Sequence, residues 1–213
     1  LQNAHYYVAP YLSPFYSPCL STTCRHVTLP IIGSWWNLSP AFLILWIPGG
    51  FRATCYYYRK AYYRSFFGSP PACAVKDWSR RYTGETRFPF VLQNIHRYFF
   101  WLSMLVVAFL WHDAILAFDF GGRFGMGVGT LVLLVNAALL TLYSISCHSC
   151  RHLCGGHLDV FSKAPTRHTL WRAISRLNER HMLLAWISLI WVGLTDVYVR
   201  LLSLGVIRDV RLF

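Results

Sequence analysis

Four long apolar stretches, separated by polar connections, dominate the pattern of hydrophobic and polar positions along this chain of 213 residues. Their approximate bounds are residues 35–67, 88–118, 126–154 and 170–204. A helix needs about 20 mainly apolar residues to cross a bilayer, and each stretch is long enough. The pattern therefore predicts an all-α membrane protein, in which residues 35–213 form a bundle of four transmembrane helices.

Residues 1–34 follow a different pattern. Four prolines interrupt this segment, at positions 10, 14, 18 and 30. Prolines at this density exclude a regular helix, so we expect an ordered loop outside the membrane. Cys19 and Cys24 lie five positions apart in this loop. An oxidising compartment would favour a disulfide between them, and two free thiols are the alternative.

Charge supports the membrane class and indicates the orientation. Only 13% of the residues are charged and the mean hydropathy is +0.39, whereas soluble domains contain about 25% charged residues. The net charge of +12 is concentrated in two connections, 59–87 and 151–180. Because basic loops stay on the cytoplasmic side of a membrane, we expect both connections to be cytoplasmic. This rule accounts for the positive charge without a nucleic-acid partner.

The segment YSISCHSCRHLCGG, residues 143–156, carries the most distinctive chemistry. On a continuous helix Cys147, Cys150 and Cys154 would share one face, because they are three and seven positions apart. Thiolate and imidazole groups hold zinc, iron–sulfur clusters and haem. At the water end of an apolar helix this motif suggests electron transfer. The alternative is a Cys-x-x-Cys pair and unrelated histidines in a reducing cytoplasm.

The distance of each Cys and His from the end of its predicted span places residues of the other helices at the same depth as this motif. His96 and Cys147 each lie roughly 12 Å from the cytoplasmic end of a predicted span, at 1.5 Å per residue. Cys55 and His181 fall slightly deeper, so every span can present a Cys or His to one layer. We predict a metal or redox centre there. Its predicted ligands are Cys147, Cys150, His96 and His181, with Cys55, His148 and His152 in reserve.

Three kinds of centre would use this layer. A Rieske-type [2Fe–2S] cluster needs two cysteines and two histidines. A b haem needs two facing histidines, which His96 with His148 or His181 would supply. A structural zinc ion is the third, and an empty Cys/His site is the remaining alternative. The concentration of thiols favours the cluster.

Basic and aromatic side chains border the same layer. Quinone carbonyls need hydrogen-bond donors, and the quinone ring and tail need aromatic and apolar walls. An interfacial belt of Tyr and Arg would give the same composition. We predict a quinone site formed by Arg52, Tyr57, Tyr58, Arg59 and Arg97.

Long segments around these residues resemble one family. They are FRATCYYYRKAYYRSFF (51–67), KDWSRRYTGETRFPFVLQNIHRYFF (76–100), SISCHSCRH (144–152) and LNERHMLLAWISL (177–189). They are similar to the membrane-anchor (cytochrome b-like, SdhC) subunit of actinobacterial, mycobacterial Sdh1-type succinate dehydrogenase, respiratory complex II. The resemblance implies a multi-pass protein of the bacterial inner (plasma) membrane, with a fifth helix ahead of residue 1.

The resemblance also implies partners and cofactors. The anchor would hold a flavoprotein with FAD and an iron–sulfur subunit, and it is compatible with a further small membrane subunit and a higher oligomer. This chain contains no Gly-rich dinucleotide fingerprint, so we expect FAD binding and succinate oxidation on a partner chain. Electrons would reach menaquinone through a Rieske-like [2Fe–2S] cluster, where other anchors of complex II carry haem b.

Overall fold

A computed structural model describes residues 5–20, 38–58, 62, 94–156 and 158–213. Within these residues two short strands, β1 (Tyr7–Val8) and β2 (Tyr11–Leu12), pair antiparallel and precede the helices. The helices are α1 (Ala41–Thr54), α2 (His96–Leu116), α3 (Val128–Ile145), α4 (His148–Gly155), α5 (Pro165–Glu179) and α6 (His181–Ser203). The predicted class, an all-α membrane protein, is confirmed.

The long helices form the bundle. In the described part of the chain, α2, α3 and α6 are long and apolar enough to cross a membrane, and α1 is a shorter apolar helix. Helix α3 packs between α2 and α6, and α1 packs against α2. Their outward faces carry many exposed large apolar side chains, such as Trp101 and Ile190. Such faces suit contact with lipid, because lipid tails are as apolar as these side chains.

Two of the predicted spans are each divided into two helices. The 126–154 span breaks after Ser146, where Cys147 takes an extended backbone (φ −70°, ψ 150°) before α4 begins. The 170–204 span breaks at Arg180, between the basic helix α5 and the apolar helix α6. The predicted common helical face for the three thiols is therefore wrong, because Cys147 precedes the helix that carries Cys150 and Cys154.

Residues 5–20 form a cap at one end of the bundle, and the location of the predicted 1–34 loop outside the membrane stays a prediction. The Tyr11 hydroxyl donates to Asp209, and the buried Ser13 hydroxyl donates to Asp196 near the end of α6. The carboxylate of Asp196 also pairs with Arg200, with 2.8 Å between Nε and Oδ2. The cap, the turn between α2 and α3 and the C-terminal segment thus share one end of the molecule.

The cysteine of this cap is buried. Cys19 is only 1% exposed and is disulfide-bonded. Its predicted partner, Cys24, lies outside the described residues, so the pairing stays a prediction.

Candidate functional site

Two thiols and two imidazoles meet at the end of the bundle opposite the cap. Cys55 follows α1, His96 begins α2, Cys147 follows α3 and His181 begins α6. We call these four residues the Cys/His cluster. His96 Nε2 lies 3.0 Å from Cys147 Sγ, and His181 Nε2 lies 3.3 Å from Cys55 Sγ. The two thiols are also close enough to interact with each other, so the four side chains form one cluster.

Two hydroxyl groups orient the imidazoles of the cluster. Thr54 Oγ1 lies 2.8 Å from His96 Nδ1, and it donates its proton to the Gly50 carbonyl at 2.7 Å. Since a hydroxyl has one proton to donate, it accepts from the imidazole, and Nδ1 of His96 carries the hydrogen. The Nε2 lone pair of His96 therefore faces the Cys147 thiol.

The same arrangement recurs at the second histidine. Ser146 Oγ lies 2.7 Å from His181 Nδ1 and donates to the Tyr143 carbonyl at 2.9 Å. This fixes the tautomer of His181 in the same way, with its Nε2 lone pair facing Cys55. Each hydroxyl directly precedes a cysteine of the cluster in the sequence. The repeated hydroxyl–cysteine pair at a helix end was the available sequence signal, and our sequence analysis missed both hydroxyls.

Aromatic rings exclude water from the cluster. The Phe51 ring stacks on His96 with centroids 4.8 Å apart, and the Tyr143 ring stacks on His181 with centroids 5.2 Å apart. Three members of the cluster are buried, since His181 is 6% exposed and both thiols are less exposed still, and His96 is partly buried. Charges in such an environment interact more strongly than they do in water.

The four side chains contact one another directly in the structure. Among the described residues, no group of three or more His, Cys, Asp or Glu side chains is arranged to hold a metal ion. The thiol–imidazole distances of 3.0 and 3.3 Å are those of hydrogen-bonded pairs. The cluster is therefore a largely buried, hydrogen-bonded set of two thiols and two imidazoles.

The remaining predicted ligands lie beside the cluster. Cys150 packs against the same apolar core, but its thiol hydrogen-bonds Cys154 on α4. Burial raises the pKa of Cys150 to about 11, which favours the neutral thiol. His148 is exposed and meets the Tyr56 ring edge-on, and His152 is also exposed. The structure thus brings Cys55, a reserve ligand, to the position that we predicted for Cys150.

Three of the predicted quinone residues meet α6. Arg52 donates to the Tyr58 hydroxyl at 2.7 Å, to the Ala185 carbonyl at 3.0 Å and to Ser188 Oγ at 3.0 Å. The Tyr57 hydroxyl accepts from Trp186 Nε1 at 2.8 Å.

The other two predicted quinone residues are not in this group. Arg97 is exposed on α2, and Arg59 lies outside the described residues. The quinone role of all five residues stays a prediction.

Comparison with known proteins identifies the family. The family model for the actinobacterial succinate dehydrogenase subunit SdhC matches residues 1–205. The chain belongs to this family. The solved Mycobacterium smegmatis Sdh1 complex in the apo form contains a chain with 49% sequence identity to this SdhC-family chain. The two superpose with a TM-score of 0.90, over 99% of this chain and 82% of that chain. No curated protein matches it.

The family match and the helical bundle both indicate a membrane subunit. A helical bundle with three apolar helices of spanning length is what a membrane subunit requires. This SdhC-family chain is therefore a membrane-anchor subunit of a succinate dehydrogenase.

Proposed function

We propose that this subunit passes electrons from an iron–sulfur subunit to menaquinone through a redox centre held by the Cys/His cluster. The observation that carries the proposal is the set of two buried thiols, the buried His181 and the partly buried His96, with both Nε2 lone pairs directed at the thiols. The hydroxyl groups of Thr54 and Ser146 fix the tautomers of both histidines, so that each Nε2 is available as a ligand. Oriented imidazoles of this kind are typical of metal ligands.

A Rieske-type [2Fe–2S] cluster fits these residues by the chemistry of the donor set. Such a cluster takes two thiolates and two neutral imidazoles, and it carries one electron at a time. Cys55 and Cys147 would supply the thiolates, and His96 and His181 would ligate through Nε2. Phe51 and Tyr143 exclude water from these ligands.

Haem b fits the same residues less well. Bis-histidine ligation needs two imidazoles that are free to face a porphyrin between them. Here Nε2 of His96 faces Cys147, Nε2 of His181 faces Cys55, and both rings are stacked on aromatic neighbours. The thiols would have no role in haem ligation.

A quinone site next to the cluster completes the electron path. Tyr57, Tyr58 and Arg52 contact α6 one to two turns beyond His181, and they would supply the donors and the aromatic wall that a quinone carbonyl and ring require. Arg59 and Arg97 remain its other predicted members. Succinate oxidation would take place on the flavoprotein, and the iron–sulfur subunit would dock on the cytoplasmic face, where the 59–87 and 151–180 connections are expected.

A structural zinc site is the second candidate. Its supporting observation is the direct thiol–imidazole contact at 3.0 and 3.3 Å, because a tetrahedral Cys₂His₂ ion brings S and N ligands close together. In that case electrons would pass to quinone from the iron–sulfur subunit without a centre in the anchor.

Metal analysis and low-temperature EPR of the purified complex distinguish the iron–sulfur cluster from haem b and from a structural zinc ion. We expect iron beyond that of the iron–sulfur subunit, and a rhombic signal with a low average g on reduction. A low-spin ferric haem signal would contradict the cluster in favour of haem b. Stoichiometric zinc without an additional signal would contradict the redox centre in favour of a structural site.

A further inference from the structure

Arg52 is a partly buried charged side chain at the end of α1, and its hydrogen-bond partners in the described part of the chain are all uncharged. Its guanidinium contacts a hydroxyl of Tyr58, a carbonyl of Ala185 and a hydroxyl of Ser188, all of them neutral groups. The ion pairs formed between described residues are His112 with Asp113 and Arg200 with Asp196, and neither involves Arg52. A charge at membrane depth is costly, which indicates a function for it.

The guanidinium lies close to the Cys/His cluster. Its central carbon is 4.4 Å from the centre of the Tyr143 ring. The same ring stacks nearly parallel on the imidazole of His181, with 5.2 Å between the ring centroids. Arg52 is also one helical turn before Cys55, whose backbone N–H bonds the Arg52 carbonyl at 3.1 Å. Only one aromatic ring therefore separates this positive charge from a proposed ligand of the redox centre.

We infer that Arg52 is a positioning residue that raises the reduction potential of the proposed redox centre by its positive charge. The inference rests on the proposed function. Reduction adds one electron, hence one negative charge, to the region held by Cys55, Cys147, His96 and His181. Arg52 stabilises that added charge, and its hydrogen-bond partners among the described residues carry no charge that would offset it. The electron enters from the iron–sulfur subunit and leaves to quinone, so Arg52 itself is chemically unchanged.

The size of this effect follows from Coulomb's law. Unit charges separated by on the order of 10 Å, at an effective dielectric constant of about 20, change an equilibrium constant by roughly tenfold. For a one-electron couple a tenfold change in the ratio of reduced to oxidised centre equals about 59 mV. An exposed arginine at the opposite end of the bundle would be screened by water and salt, and its effect would be negligible.

An EPR-monitored redox titration of the purified complex tests the inference. At a fixed ambient potential, Arg52→Gln is expected to lower the ratio of reduced to oxidised centre roughly tenfold. Arg52→Lys retains the charge and is expected to keep most of the ratio. Arg123→Gln removes the same charge from the exposed turn between α2 and α3, and it should leave the titration unchanged.

A second pair of variants does not alter Arg52. Ser188→Asp places a carboxylate where Ser188 Oγ now lies, 3.0 Å from the guanidinium, and should lower the ratio in the same direction. Ser188→Asn is its neutral control. If Arg52→Gln prevents assembly of the complex, this pair of variants still tests whether the charge of Arg52 affects the reduction of the centre.

The outcomes separate the two proposals. A retained signal with the same titration in Arg52→Gln and Ser188→Asp as in the unsubstituted complex would overturn the role of Arg52. Absence of the signal from the unsubstituted complex would instead overturn the proposed redox centre.

Discussion

At the scale of single residues, the decisive distinction is between Cys55 and Cys150. Both are cysteines near one layer of the bundle, but only Cys55 contacts an imidazole of the cluster. Cys55→Ser is expected to abolish the additional EPR signal of the reduced complex, because serine replaces a soft thiolate ligand by a hydroxyl. The measurement is EPR on complexes purified from both variants.

Cys150→Ser is the matched control for this prediction. The Cys150→Ser complex is expected to keep the signal. In the unsubstituted protein the Cys150 thiol interacts with Cys154 rather than with the Cys/His cluster. Reduction of a soluble dye by succinate should persist in both variants, as it occurs before electrons reach the membrane. Loss of the signal in Cys150→Ser, with its retention in Cys55→Ser, would restore the ligand set predicted from the sequence.

The sequence predicted how deep each Cys and His lies along its helix, but not the direction in which each side chain points. A helix rises by a fixed 1.5 Å per residue, so counting from the ends of the apolar runs placed Cys55, His96, Cys147 and His181 on one layer. The choice between Cys55 and Cys150 depends on where a side chain points. That direction is set by the extended backbone at Cys147, which a continuous apolar pattern does not reveal.

At the scale of helices, the two breaks at Cys147 and Arg180 were not predicted for the same reason. Hydrophobic periodicity identifies apolar segments well, but it does not report a single non-helical residue within them. Arg180 takes such a conformation (φ −100°, ψ 9°) and allows the basic helix α5 to leave the direction of α6. The break places His181 at the first position of α6, next to Cys55.

The packing of α1 on α2 gives a prediction at the same scale. A Cβ added to Gly50 would lie 2.3 Å from Phe99 Cε1, whereas one added to Gly49 would meet nothing within 4 Å. Gly50→Ala is therefore expected to push α1 away from α2 and to lower the free energy of unfolding by about 1–3 kcal/mol, as overpacking does. Thermal unfolding of the complex in detergent measures the change.

Gly49→Ala is the control for this packing prediction. It adds the same methyl group to the same helix without a clash, and alanine favours a helix more than glycine does. We expect unchanged or slightly higher stability. Equal midpoints of unfolding for the two variants would show that α1 and α2 are not held together by close approach at Gly50.

At the scale of the whole molecule, the cap and the Cys/His cluster occupy opposite ends of the bundle. Asp209 joins three parts of the chain at the cap end. It accepts hydrogen bonds from the Gly129 N–H at 2.9 Å, the Tyr198 hydroxyl at 2.7 Å and the Tyr11 hydroxyl. Its charge also lies at the N-terminus of α3, where the helix dipole favours an anion.

The Tyr11 hydroxyl of this junction keeps its proton at physiological pH. Burial and the neighbouring Asp209 raise the pKa of Tyr11 above its usual value of about 10. A raised pKa stabilises the protonated hydroxyl in the folded state, so its contribution is complete below about pH 10 and is lost only at higher pH. The Tyr11 hydroxyl therefore remains a donor to Asp209 throughout the physiological range.

Replacing Asp209 should separate stability from redox function. Asp209→Asn removes the charge that three donors share, and we expect the free energy of unfolding to fall by about 1.5–3 kcal/mol, as for hydrogen bonds to a charged group. Asp159→Asn, at an exposed position, should change it by less than about 0.5 kcal/mol. The EPR signal of the assembled Asp209→Asn complex should be unchanged, because four helices hold the cluster independently of the cap. A signal lost together with the stability would mean that the cap and the cluster form one cooperative unit.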